Sequence, residues 1–94
     1  MNVKIKFFTS LREVTGTKMV NLHLKKIISV EELLFLLSEK YGQEFREYIY
    51  DQDGKVQDFL SFLLNGKNIN NLQGFNTILK EGDIIAILPP VGGG

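Results

Sequence analysis

The 94-residue chain is 44% hydrophobic and 23% charged, the composition of one globular domain and not of a disordered segment. Eleven basic residues balance 11 acidic ones, so no basic excess is available to hold a phosphate backbone, and nucleic-acid binding is not expected. Cysteine is absent, which excludes disulfides, thiolate metal sites and a cysteine nucleophile together.

Val3, Ile5 and Phe7 alternate with Lys4, Lys6 and Phe8, and a period of two predicts a strand with one buried face. Residues 9–16 interrupt the pattern, with Gly16 suited to a turn. Val20, Leu22 and Leu24 then alternate against Met19, Asn21 and His23, so the two runs are expected to form an antiparallel hairpin joined by a short loop. Ser29 and Glu32 have capping-box spacing. Val30, Leu33, Leu34, Leu37 and Tyr41 recur at helical spacing up to Gly42, which predicts a helix over 30–41. Phe45, Tyr48 and Ile49 supply an i, i+3, i+4 stripe for a short second helix over 43–50. A polar stretch, 51–58, contains the turn dipeptide Asp53-Gly54.

Leu60, Phe62 and Leu64 alternate against Ser61 and Leu63, the pattern of another strand. Asn65-Gly66 is the strongest tight-turn dipeptide of the chain, and Ile69 is expected to open a short partner strand. Residues 70–83 read as loop with a single turn. Ile84 to Leu88 is an almost unbroken apolar run, as in a strand at the middle of a sheet, and Pro89-Pro90 ends it. No linker or repeat divides this order. One main helix lying across one face of a mixed four- to five-stranded sheet, with the last strand parallel to the first, satisfies it with a single core. That α+β arrangement is the ubiquitin-like β-grasp, expected over residues 1–90 with a flexible tail at 91–94.

The tail Pro89-Pro90-Val91-Gly92-Gly93-Gly94 is either a frayed terminus or the chemical element of the protein. The prolines stiffen the exit from the strand. The glycines lack side chains, so the terminal carboxylate of Gly94 can enter a narrow channel. A carboxylate becomes an electrophile only after activation, for instance as an acyl-adenylate. The chain has one His, no Cys and no phosphate-binding glycine loop, so ATP binding and catalysis are expected from a partner, with no cofactor bound here.

Phe7-Phe8, Leu11-Arg12-Glu13, Gly16, Val30-Glu31-Glu32-Leu33, Leu64-Asn65, Leu79-Lys80-Glu81-Gly82-Asp83 and the strand running into Pro89-Pro90-Val91 with terminal glycines resemble the MoaD/ThiS family of ubiquitin-like sulfur carriers, in particular small subunits of molybdopterin synthase. These blocks span nearly the whole chain in order. The resemblance implies a non-catalytic carrier. An E1-like enzyme would adenylate Gly94 with ATP, sulfur transfer would make a thiocarboxylate, and the large synthase subunit, in a heterotetramer, would take the sulfur for the dithiolene of the molybdenum cofactor. Two departures stand out: Gly92 occupies the small position between Val91 and Gly-Gly, and residues 43–58 are longer than in the shortest members. An archaeal-type protein modifier joined to lysines, a tungsten-pathway carrier and a plain interaction domain are the alternatives.

A carrier must dock. Strand parity turns Phe8 away from the helix, along with Ile84, Ala86 and Leu88. Phe8 and Leu88 then form an apolar patch near the exit of the tail, with Pro89, Pro90 and Val91 beside it, unless one of these side chains tucks under the proline corner. Arg12 and Glu13 lie in the first loop, for a partner, for each other or for solvent. Lys67 and Lys80 are placed for an acidic partner or for solvent. His23 stands alone on a polar face and is a poor metal ligand. Asp51, Asp53 and Asp58 lack the calcium-loop spacing, and Gly66-Lys67 lacks the rest of a P-loop. No metal is expected. No segment reaches the ~18 apolar residues of a membrane span, and Met1 to Lys6 alternate instead of forming a signal-peptide core, so a cytoplasmic protein without a membrane partner is expected.

Overall fold

The structure, a computed structural model, describes residues 1–90. Strand β1 (Asn2–Phe7) buries Val3, Ile5 and Phe7 and exposes the residues between them. It pairs antiparallel with β2 (Met19–His23), with Ile5 opposite Val20 and Val3 opposite Leu22. The connection expected to be a short loop contains a short helix, α1 (Ser10–Thr15). Leu11 anchors it, fully buried. The Thr15 hydroxyl donates to the Leu11 carbonyl at 2.8 Å, and Gly16 closes it at φ 77°, a backbone region that glycine enters without a Cβ penalty.

Helix α2 (Val30–Tyr41) has the predicted bounds. The Glu32 amide donates to the Ser29 hydroxyl at 3.2 Å and the Ser29 amide to the Glu32 carboxylate at 3.1 Å, so two otherwise orphaned donors are satisfied reciprocally. Leu33, Leu34 and Leu37 are fully buried, and burying each contributes about 1.5–3 kcal/mol relative to exposure. Gly42 turns the chain directly into α3 (Gln43–Ile49), whose Phe45 and Ile49 complete the helical side of the core. The Phe7 ring meets Tyr41 edge-on at 5.7 Å and Phe45 at 6.4 Å, which locks strand to helices. In the polar stretch, the Asp51 carboxylate accepts from the Asp53 and Lys55 amides at 2.8 and 3.0 Å, and a bridge joins Tyr50 to Val56.

Strand β3 (Ser61–Leu64) turns through Asn65 (φ 51°) and Gly66 (φ 86°) into β4 (Lys67–Asn68). Both turn residues have positive φ, as a two-residue hairpin loop demands. The partner strand thus lies just before Ile69, which is buried and opens a 3₁₀ turn (Ile69–Asn71); a second follows at Gly74–Asn76. The connection therefore holds two turns where one was expected. The Asn68 side chain accepts from the Asn70 amide at 2.9 Å, a local bond that competes with strand continuation.

Strand β5 (Ile84–Leu88) completes a five-stranded sheet in the order β2-β1-β5-β3-β4. It runs parallel to β1 and antiparallel to β3. The central position explains its apolar run: both edges are hydrogen-bonded, and Ile85 and Ile87 are buried on the helical side. Among the described residues the helices cover that side only, which leaves the other face of the sheet open.

Candidate functional site: the open sheet face beside the last strand

Three registers build this face. Lys4 and Lys6 lie opposite Ile84 and Ala86 across the parallel pair, while Leu63 lies opposite Ala86 and Ser61 opposite Leu88 across the antiparallel pair. Side chains alternate sides along a strand, so Leu63, Ile84, Ala86 and Leu88 share the outer surface and are all half-buried. Phe7 pairs with Ile87; Phe8 follows it, turned to the same open side as Leu88, and is also half-buried. Phe8 thus follows directly on the end of β1, and Leu88 is the last residue of the neighbouring β5.

Leu63 belongs to this surface as well. Its alternation with Phe62 and Leu64 marked it as outward, but only the pairing of β3 with β5 brings it beside Ala86. Lysines border the apolar strip on the β1 side. Half-exposed apolar strips with a polar border are common at protein interfaces.

Arg12 lies on α1, exposed. Its Nε donates to the Phe7 carbonyl at 3.1 Å, and its guanidinium carbon lies 5.5 Å from the Phe8 ring centre. Arg12 was expected to meet Glu13, a partner protein or solvent; the structure sets it against Phe8 instead of Glu13. Among the described residues the guanidinium is held by one hydrogen bond and one aromatic face, and its geometry offers further donors to an acceptor. Thr9 joins the two residues at φ 49°, an uncommon conformation for a β-branched residue.

At the exit of β5, Pro89 is buried and Pro90 exposed. The proline corner therefore presents Pro90, while Pro89 packs inward and offers no surface to a partner. Val91, Gly92, Gly93 and Gly94 lie outside the described residues. The start of the strand is fixed by the Asn65 side chain, whose Nδ2 donates to the Asp83 carboxylate at 2.8 Å and whose Oδ1 accepts from the Ile84 amide at 2.9 Å.

The remaining sequence candidates fall elsewhere. His23 is exposed with Nδ1 2.9 Å from the Asn2 side-chain oxygen. Asp51 shapes its own loop, and Gly66-Lys67 forms the end of the β3–β4 hairpin. Among the described residues, no group of three or more His, Cys, Asp or Glu side chains could hold a metal ion, and no helix is long and apolar enough to cross a membrane. Lys67 and Lys80 are exposed.

Comparison with known proteins agrees with this architecture. The ThiS family model matches residues 5–94. The chain is 32% identical to small archaeal modifier protein 3 of Haloferax volcanii over the full length of both chains. It is 33% identical to the molybdopterin synthase sulfur carrier subunit of Drosophila yakuba, covering all of this chain and 92% of that one. The solution structure of small archaeal modifier protein 1 from Methanosarcina acetivorans superposes with a TM-score of 0.84 at 35% identity, covering 99% of this chain and 96% of the other. The chain therefore belongs to the ThiS family of small ubiquitin-like sulfur carriers and is built on the β-grasp fold.

Proposed function

We propose that the protein carries sulfur on its C-terminal glycine and delivers it for molybdopterin synthesis as the small subunit of a molybdopterin synthase. One observation carries this reading: a central strand held on both edges leads straight into Pro89-Pro90-Val91-Gly92-Gly93-Gly94, beside an open apolar face. A carboxylate oxygen of Gly94 attacks the α-phosphorus of ATP bound to an E1-like partner, and pyrophosphate leaves. A hydrosulfide ion, HS⁻, then attacks the acyl carbon and expels AMP, which leaves a thiocarboxylate. This chain contributes the tether, the carboxylate and the docking face; the partners contribute ATP binding and catalysis. The family match runs to residue 94, and the full-length likeness to a molybdopterin synthase sulfur carrier subunit supports this pathway.

A second reading is supported by the full-length likeness to a small archaeal modifier protein: lysine amines, and not a sulfur nucleophile, displace AMP and leave isopeptide bonds. Intact-mass analysis of the chain incubated with its own activating enzyme, ATP and a sulfur donor separates the two. Exchange of one terminal oxygen for sulfur is expected. Conjugates to other proteins without that exchange support the modifier, and an unaltered mass overturns both.

A further inference from the structure

We propose that the outer edge of β2 is a second docking surface, which takes up an extended acidic segment of a partner protein as an added strand. Three observations converge on it. The first is the ladder. Phe7 donates to the Lys18 carbonyl and Leu24 to the Met1 carbonyl, so hydrogen-bonded pairs recur at every second residue through Val20 and Leu22. Asn21 and His23 fall between them, so their N–H and C=O groups point away from β1 to the open side. The Met19 end is closed, because the Thr17 hydroxyl donates to the Met19 carbonyl at 3.0 Å and accepts from its amide at 3.4 Å. The opposite edge of the sheet, β4, has only two residues. β2 is therefore the longer edge at which another strand can continue the sheet.

The second observation is apolar. Val20 and Leu22, on the helical side of β2, stay half-exposed, whereas Val3 and Ile5 beside them are fully buried. An added strand would complete their cover.

The third is charge. The neutral total hides a strong division: residues 1–28 hold Lys4, Lys6, Arg12, Lys18, Lys25 and Lys26 but only one acidic residue, Glu13. Lys18 and Lys25-Lys26 bracket β2, all exposed. Two copies meeting edge to edge would set these lysines against each other, which disfavours self-pairing. An acidic segment is favoured instead. The free backbone ladder selects a polypeptide over a nucleic acid, which would use the lysines alone.

The test uses the full-length chain and a synthetic peptide with a Val-Ile-Val-Ile centre and Asp-Glu flanks, followed by amide NMR. Shifts centred on Asn21 to Lys25, slowed exchange of the Asn21 and His23 amides, and no movement at Phe8 or Leu88 are expected. Asn21→Pro removes an outward donor without touching the β1 ladder, and it abolishes binding. Lys25→Glu with Lys26→Glu weakens binding about tenfold, in line with replacing attraction by like-charge repulsion. Equal binding of a Lys-flanked peptide, shifts mapping elsewhere, no binding at millimolar peptide, or binding of an oligonucleotide unaffected by Asn21→Pro each overturns the proposal. Deleting Gly94 leaves peptide binding unchanged, so this surface stands or falls separately from the carrier chemistry.

Discussion

The Arg12 guanidinium lies over the Phe8 ring, 5.5 Å from its centre, while its Nε donates to the carbonyl of Phe7. One side chain thus ties α1 to the end of β1 and adds charge to an apolar strip. Arg12→Ala removes a cation–π contact of about 0.5–1 kcal/mol and a hydrogen bond of similar net worth. Stability should fall by about 1 kcal/mol, and affinity for the activating partner by about tenfold. Arg12→Lys should recover stability less than charge, because a lysine lacks the planar fork. Titration calorimetry with the E1-like partner checks this; wild-type affinity in Arg12→Ala would remove Arg12 from the docking face.

The strip itself is tested by Phe8→Asp, Leu63→Asp and Leu88→Asp. All three side chains are half-buried on the open face, so each variant should stay folded, at a cost on the order of 1 kcal/mol. Each should weaken partner binding at least tenfold, as at the centre of an interface. Ile27→Asp is the control: Ile27 is 69% exposed and lies just before α2, away from the strip. Equal effects from Ile27→Asp and Leu63→Asp would show that the strip is not the contact.

Asn65 joins the β3–β4 turn to the start of β5 by two side-chain hydrogen bonds while adopting φ 51°. Asn65→Ala loses both bonds and strains the turn, and should destabilise by about 2–3 kcal/mol. Asn65→Gly relieves the strain but not the lost bonds, and should recover about 1 kcal/mol of that. Urea denaturation of the pair separates the two contributions; identical midpoints would mean that the turn conformation costs nothing.

Thr9 is exposed, makes no side-chain capping bond and has φ 49°. Thr9→Gly should raise stability by about 1 kcal/mol, since relief of a strained conformation outweighs the extra freedom of the unfolded chain. A lower melting temperature in Thr9→Gly would contradict this.

Burial raises the hydroxyl pKa of Tyr41 above the usual tyrosine value. It also raises that of Tyr50, where the nearby Ser38 hydroxyl opposes the shift and the Glu31 charge adds to it. The neutral form is favoured in the folded state, so the unfolded chain releases these protons first. Their effect is nil below about pH 10 and destabilising as pH rises past the unfolded value. Tyr41→Phe and Tyr50→Phe should each flatten the alkaline decline of the melting temperature, and absorbance titration should show the wild-type groups ionising late.

Much of this architecture was legible because a few residues have only one good solution. Ser29 with Glu32 and Gly42 bracket a helix whose leucines share one face. Asn65-Gly66 admits the positive φ values of a tight hairpin, and an unbroken Ile84–Leu88 run needs two covered edges. The errors came where short local bonds decide. α1 depends on the burial of Leu11 and the left-handed Gly16, which periodicity over six residues does not reveal. Ile69 was expected to open the partner strand after the Asn65-Gly66 turn, yet the strand lies before it and the Asn68 side chain turns the chain there. At the site, the outward place of Leu88 on β5 followed from parity alone. Leu63 needed the β3–β5 register, and Pro89 looked like a contact residue until the corner was seen to bury it.

The double pairing of β5 also has a mechanical consequence. A force directed along this strand from beyond Pro90 must slide two hydrogen-bonded ladders at once, one parallel and one antiparallel, instead of opening either like a zipper. A partner can therefore draw on the end of the chain while the body of the molecule resists as a rigid anchor, and pulling experiments with an optical trap should find this direction among the strongest.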